Sequence, residues 1–300
     1  MTPDPSRSFR ARLGAIPGPW RGILGYLGFT LAVFVVALLY GLPHDLIARR
    51  ALGEATSEAP MRVVFDDVSF AFPNGYHFTE VRLSPRDDPQ YTVEVPEITV
   101  RTPLTGILLG RIDSATFSGR LYGGTFEGTA ETSDGKVATT VSLEEVRLAP
   151  LTRRFLPPPG AVAGTASLDL ALTGDGRSTR SSAGTVELSA RNVSLEGIIA
   201  QGITVPDLTF SDVQLEAEVQ GTRLQLERFT ARGDELTLGA TGDVLVREPA
   251  SQSVLNLQLE IDVSAEARPG LRVATSLLPK RKTGQKSWAL RGSLASPSLR

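Results

Sequence analysis

The pattern of apolar positions along this chain changes period once, and the change divides it in two. From Gly22 to Leu42 (GILGYLGFTLAVFVVALLYGL) no charged residue interrupts the run. At about 1.5 Å per residue a helix of that length crosses a hydrocarbon core of about 30 Å. From Ala59 onward the apolar residues alternate instead. Leu255, Leu257, Leu259, Ile261 and Val263 are separated by Asn256, Gln258, Glu260 and Asp262, the signature of a strand with one face buried and one wet. Val213, Leu215, Ala217 and Val219 repeat it. After Gln220-Gly221-Thr222 come Leu224 and Leu226, and Gly233-Asp234-Glu235 leads into Leu236, Leu238 and Ala240, so these segments read as hairpins of an antiparallel meander. Further strands are predicted near 62–72, 91–100, 112–121, 125–132, 137–148, 163–173, 184–195, 203–210 and 287–294.

Three of these runs break step. Val63 and Phe65 occupy odd positions, but beyond Asp66-Asp67 the apolar set moves to Val68, Phe70 and Phe72. A one-residue slip in a period-two pattern turns every later side chain to the other face, so a bulge at Asp66-Asp67 is expected to restore them. Leu226 to Phe229 shows the same shift across Glu227-Arg228, and Pro96 separates Val93 and Val95 from Ile98 and Val100. Such bends suit a strongly curved sheet.

The predicted organisation is a basic tail (1–21), a transmembrane helix (22–42), a juxtamembrane segment (43–58), a first β module (59–152), a Pro-rich linker (153–160) and a second β module (161–300). The linker rests on Arg153-Arg154-Phe155-Leu156-Pro157-Pro158-Pro159-Gly160, whose prolines donate no ladder hydrogen bonds. Ala265 to Gln285 is expected to be irregular, and its Lys280, Arg281, Lys282 and Lys286 are read as a solvated loop. A sheet with one apolar face and no amphipathic helices to cover it must fold over on itself, as a sandwich, a closed barrel or a curved half-barrel. The fold class is therefore all-β, an N-terminal span followed by an elongated, curved antiparallel sheet, half-barrel or folded-over sandwich. Since most alternating sheets pack on themselves, a self-filled core is expected ahead of an open trough.

Charge sets the topology. Arg7, Arg10, Arg12 and Arg21 precede the span against Asp4 alone, which places the N-terminus in the cytoplasm and everything beyond Pro43 across the membrane. A cleaved signal peptide fits less well, because its apolar core normally runs only about 7–15 residues and the nearest small-x-small site, Ala51-Leu52-Gly53, lies far beyond the run. Gly28 and Ala32 form a small-residue pair in the span, too common a feature to imply dimerisation. Setting aside those four arginines and one aspartate, the chain keeps 27 basic against 32 acidic residues, which gives no reason to expect nucleic acid as a partner. Cysteine is absent, so an exported domain must hold together by packing and hydrogen bonds.

Chemistry is sparse. The two histidines are His44, at the membrane boundary, and His77, in the turn-like Pro73-Asn74-Gly75-Tyr76-His77, read as an ordinary loop residue. Adjacent acids at Asp66-Asp67, Asp87-Asp88, Glu144-Glu145 and Asp234-Glu235 point to opposite faces of a strand unless a bulge intervenes. Ser133-Asp134-Gly135-Lys136 and Lys282-Thr283-Gly284 match fragments of penicillin-recognising enzymes, but the first sits on an Asp-Gly hairpin turn where that motif needs a helix. Asn192-Val193-Ser194 spells a glycosylation sequon on a strand. No catalytic, cofactor-binding or metal-binding residues are expected.

Four segments, LPHDLIARRAL (Leu42–Leu52), TVRTPLTGILLGRI (Thr99–Ile112), SGRLYGGTFEGTAE (Ser118–Glu131) and WALRGSLASPSLR (Trp288–Arg300), together resemble the type II secretion system protein N family, also called general secretion pathway protein N. LQLERFTARGDELTLGATGDVLV (Leu224–Val246) is similar to the repeats of AsmA-like envelope proteins. The first resemblance implies a bacterial inner-membrane, single-pass accessory or scaffold of type II secretion with a periplasmic bulk, no enzymatic activity and no cofactor. Its partners are expected to be the bilayer, through the N-terminal helix, and other secretion components. The second implies an envelope protein that binds or transfers lipid in an apolar β groove.

Overall fold

A computed structural model describes residues 61–85, 92–103, 113–153, 159–175, 178–200, 203–204, 206–247, 252–276, 278, 287–294 and 296–299, together with Thr30, which is helical. The chain divides into two units, Met1–Arg50 and Ala51–Arg300. Apart from Thr30 the predicted span lies outside the described residues; among those described, no helix is long and apolar enough to cross a membrane.

The second unit is a single antiparallel meander. In chain order its strands are β1 (Met61–Val64), β2 (Asp67–Ala71), β3 (Gly75–Pro85), β4 (Val93–Arg101), β5 (Ser114–Leu121), β6 (Gly124–Ser133), β7 (Lys136–Arg147), β8 (Ala161–Asp175), β9 (Ser178–Glu196), β10 (Ile199–Ala200), β11 (Ile203–Thr204), β12 (Leu208–Gln220), β13 (Arg223–Arg232), β14 (Leu236–Leu245), β15 (Val254–Val263), β16 (Trp288–Ser293) and β17 (Ser296–Leu299). Two short helices interrupt it, α1 (Leu148–Thr152) and α2 (Pro269–Ser276). Fifteen strands form one sheet in sequence order, with β1 and β2 both pairing β3, while β10 and β11 form a small ribbon of their own. At about 4.8 Å per strand, the sheet runs roughly 60 Å from β1 to β17.

Register shows why this sequence makes this sheet. In antiparallel pairs, directly opposed residues share a face. Starting at Phe70, successive partners across the sheet are Tyr76, Val100, Phe117, Gly128, Val141, Leu170, Val186, Ala217, Leu226, Gly242, Leu257, Leu290 and Leu299. One residue along, the row reads His77, Thr99, Ser118, Glu127, Ser142, Asp169, Glu187, Glu216 and Arg228. Period two in the sequence has become one predominantly apolar face and one polar face.

The sheet does not fold over. Apart from α1 against β8, the main contacts between described elements join hydrogen-bonded neighbours, and no large side chain among the described residues is completely enclosed. The self-filled core is thus replaced by a single curved, open layer. Alternation specifies which face avoids water, not what covers it, and nothing in a period-two pattern separates these outcomes. On either side of the Pro-rich stretch, β7 and β8 pair directly.

The phase shifts are present, with one change of form. At Glu227-Arg228 the ladder slips as expected, between Leu226 and Phe229. At Asp66 the chain breaks into β1 and β2 instead of bulging, yet Phe65 and Val68 both return to the apolar side, 6% and 8% exposed. The neighbouring strands shift at the same level: Glu80, in a left-handed conformation with φ 50°, separates Val81 from Phe78, and Pro96 separates Val95 from Ile98. Three further slips, at Glu144-Glu145, near Asn192 and between Thr173 and Asp175, were not foreseen.

Candidate functional site

The apolar face of β1 and β3–β7 is hollowed into a groove of about 460 Å³, walled by Phe65, Phe78, Val95, Ile98, Phe117, Leu121 and Phe126 and their apolar neighbours. The groove exposes apolar atoms alone, and no described element roofs it. Phe65 and Phe78 meet edge to face at 5.1 Å, and the Phe70 ring stands at 81° to Tyr76. Burial raises the Tyr76 phenol above its ordinary value.

Glycines seat two of the rings that wall the groove. Gly119 faces Phe126 across the ladder, and Gly128 faces Phe117. A Cβ at Gly119 would stand 2.7 Å from the Phe126 ring, and one at Gly128 would collide with the Phe117 ring and the Thr140 carbonyl. Each ring therefore lies over a glycine of its partner strand, the arrangement by which an aromatic covers a residue without side chain. The connecting turn, Tyr122-Gly123, has φ of 47° and 89°, a primed hairpin turn that the YGG sequence favours.

At the other end of the sheet the apolar face is closed. Ala166, Ala190, Val193, Leu208, Phe210, Ala231 and Leu236 form a core with Ala267 and Leu271 from the α2 segment. A clasp holds that segment. The Arg268 guanidinium donates from Nε to both carboxylate oxygens of Glu235 at 2.9 Å, its backbone N–H donates to Oε1 at 2.9 Å, and Nη2 reaches the Asp207 carbonyl. These hydrogen bonds hold the Glu235 carboxyl below the usual carboxylate range. The stretch 265–285, expected to be irregular, thus carries a helix. Its eight residues are too few to show a 3.6 period, and one of them, Leu271, carries the packing.

The polar face carries a larger concavity, about 640 Å³, lined by Thr129, Thr140, Ser142, Asp169 and Glu187 among others. Its groups satisfy one another: Thr129 and Thr140 hydroxyls lie 2.8 Å apart, and Ser142 donates to Asp169 at 2.7 Å. Water meets such a surface at little cost, whereas an unroofed apolar groove costs free energy until something fills it. The apolar groove is therefore the candidate site.

His77 lies in strand β3, not in a turn, with Nδ1 3.0 Å from the Thr99 hydroxyl and Nε2 4.0 Å from Glu97. Its strand escaped notice because Tyr76 and Phe78 are out of step with Val81 and Leu83. Glu97 is held by Arg120 at 2.9 Å. The bulge leaves both Glu144 and Glu145 on the exposed side, Asp66 is bound by Arg82 at 2.7 Å, and Asp134-Gly135 forms the foreseen two-residue turn. Asn192 sits exposed in β9 with φ 52°. Asp87-Asp88, Lys282-Thr283-Gly284, His44 and the cations from Lys280 to Lys286 lie outside the described residues. Among the described residues no group of His, Asp and Glu is placed to hold a metal ion. No family model, curated protein or solved structure matches this chain.

Proposed function

We propose that this chain is a membrane-anchored envelope protein whose β body shelters acyl chains in its apolar trough, acting without a catalytic step or cofactor. The observation that carries this reading is the unroofed apolar face: a groove of about 460 Å³ lined by apolar atoms, within the roughly 300–1,000 Å³ range of small-molecule sites. A self-packed scaffold has no need of such a surface. The uncharged run Gly22–Leu42 and the arginines before it support the anchor and a trough on the periplasmic side of a bacterial inner membrane. Lipid extraction and native mass spectrometry of the full chain isolated from membranes test the reading. Bound acyl lipid supports it; a folded chain free of lipid sinks it.

A second reading, an accessory of type II secretion, is favoured by the four resembling segments, of which Ser118–Glu131 spans the β5–β6 hairpin that shapes the groove. It is compatible with the first, the trough then serving a secretion assembly. A secretion assay in a strain lacking the gene distinguishes them: loss of exported protein with unchanged lipid distribution favours the accessory role.

A further inference from the structure

We infer that the groove of β1 and β3–β7 is a site for a single acyl chain of a membrane phospholipid, while β8–β15 act as the closed end of the trough and take no ligand. This inference rests on the acyl-binding reading above.

The dimensions select one chain. The groove crosses six neighbouring strands, five steps of about 4.8 Å, so it is roughly 24 Å long. One leaflet's acyl chain spans about half of a 30 Å hydrocarbon core, or about 15 Å, and fits lengthwise. Spread over its roughly 24 Å, a volume of about 460 Å³ corresponds to a cross-section of roughly 19 Å², comparable to the square of a carbon contact distance of about 4–4.5 Å, the section of one hydrocarbon chain. No charged side chain lines the groove, so the site takes the tail and leaves the headgroup outside.

The source of the chain follows from the tether. Between Leu42, the end of the candidate span, and Met61, the first residue of β1, lie 18 residues. Fully extended at about 3.4 Å per residue, that segment keeps the groove's first strand within roughly 60 Å of the bilayer. The far half of the sheet is different in kind. Phe210, Ala231, Leu236 and Leu271 are 2–6% exposed and belong to one packed cluster, so that stretch is occupied by the protein itself.

Photo-crosslinking in living cells tests this with the full chain. A photoreactive phenylalanine is placed singly at Ile98, Leu121, Leu238 or Leu257, in cells whose phospholipids carry an alkyne-tagged long-chain fatty acid. Lipid adducts are expected at Ile98 and Leu121, one per chain, with background at Leu238 and Leu257. Val100→Trp, which adds bulk to the groove wall, is expected to reduce the Ile98 adduct about tenfold, equal to 1.4 kcal/mol. Leu143→Trp serves the same purpose if the first variant fails to fold by circular dichroism. Equal adducts at Ile98 and Leu257, or an Ile98 adduct indifferent to both tryptophans, would overturn the single-chain site while leaving acyl binding intact. A folded chain with no adduct at any position would overturn the acyl-binding reading as well.

Discussion

Leu271 is the most economical place to perturb this fold. It is 3% exposed, in a two-turn helix otherwise mostly open to solvent, and it packs into the core formed by β8, β9 and β12–β14. Truncating a buried leucine to alanine costs about 2–5 kcal/mol, according to how far the surroundings collapse into the space. Here α2 is short and lies at the margin of a single-layer sheet, so it can settle inward and the cost falls in the lower part of that range, about 2–3 kcal/mol. The neighbouring Val273 is 61% exposed, and its truncation stays within about 0.5 kcal/mol. The difference, about 2 kcal/mol, corresponds to roughly a thirtyfold larger opening constant. Amide hydrogen exchange on the adjoining ends of β14 and β15 reads it directly, because the loss is local before it is global. Equal exchange in Leu271→Ala and Val273→Ala would refute the argument that one side chain seals this end of the trough.

Three further outcomes follow, two from the structure and one from the charge pattern of the sequence. Glu235 has a folded-state pKa depressed by Arg268, so its contribution is present above the ordinary glutamate pKa and lost as pH falls through the depressed value; exchange at α2 should rise on acidification, and Glu235→Gln should abolish that pH dependence. Gly128→Val forces a side chain into the Phe117 ring and the Thr140 carbonyl, an overpacking cost of about 1–3 kcal/mol, which urea unfolding monitored by circular dichroism should detect. A reporter active only in the periplasm, fused after residue 60, should be active and remain with the inner membrane after a carbonate wash; release of a shortened soluble product would replace the anchor by a cleaved signal peptide.

The sheet was legible wherever alternation was unbroken. β15 alternates for its whole length, and the slip at Glu227-Arg228 could be placed because Leu226 and Phe229 stand an odd number of residues apart. β3 was not, because its phase shift at Glu80 splits an eleven-residue strand into two short patterns of opposite parity. Four of those residues follow a proline and a glycine, and His77 was read as a loop residue for that reason. α2 left no pattern because it needs one buried leucine, and the Arg268 clasp joins residues 33 positions apart in sequence. The groove lay hidden for a different reason. Each of its walls was visible as an alternating strand, but whether the walls meet an opposing layer or open space depends on curvature, which is a property of fifteen strands together. Gly119 and Gly128 were visible as punctuation; only their register opposite Phe126 and Phe117 shows that they make room.

The central claim, that the apolar face is open, is tested most directly by its reactivity. The chain has no cysteine, so single cysteines at Ile98 and Leu121 in the apolar groove, Gln258 on the polar face and Ala231 in the closed core report separately to a small apolar maleimide. Labelling at Ile98 and Leu121 at rates close to that of Gln258, with Ala231 strongly protected, is the predicted result. Protection of Ile98 and Leu121 as deep as that of Ala231 would mean that the groove is covered, and would contradict the trough.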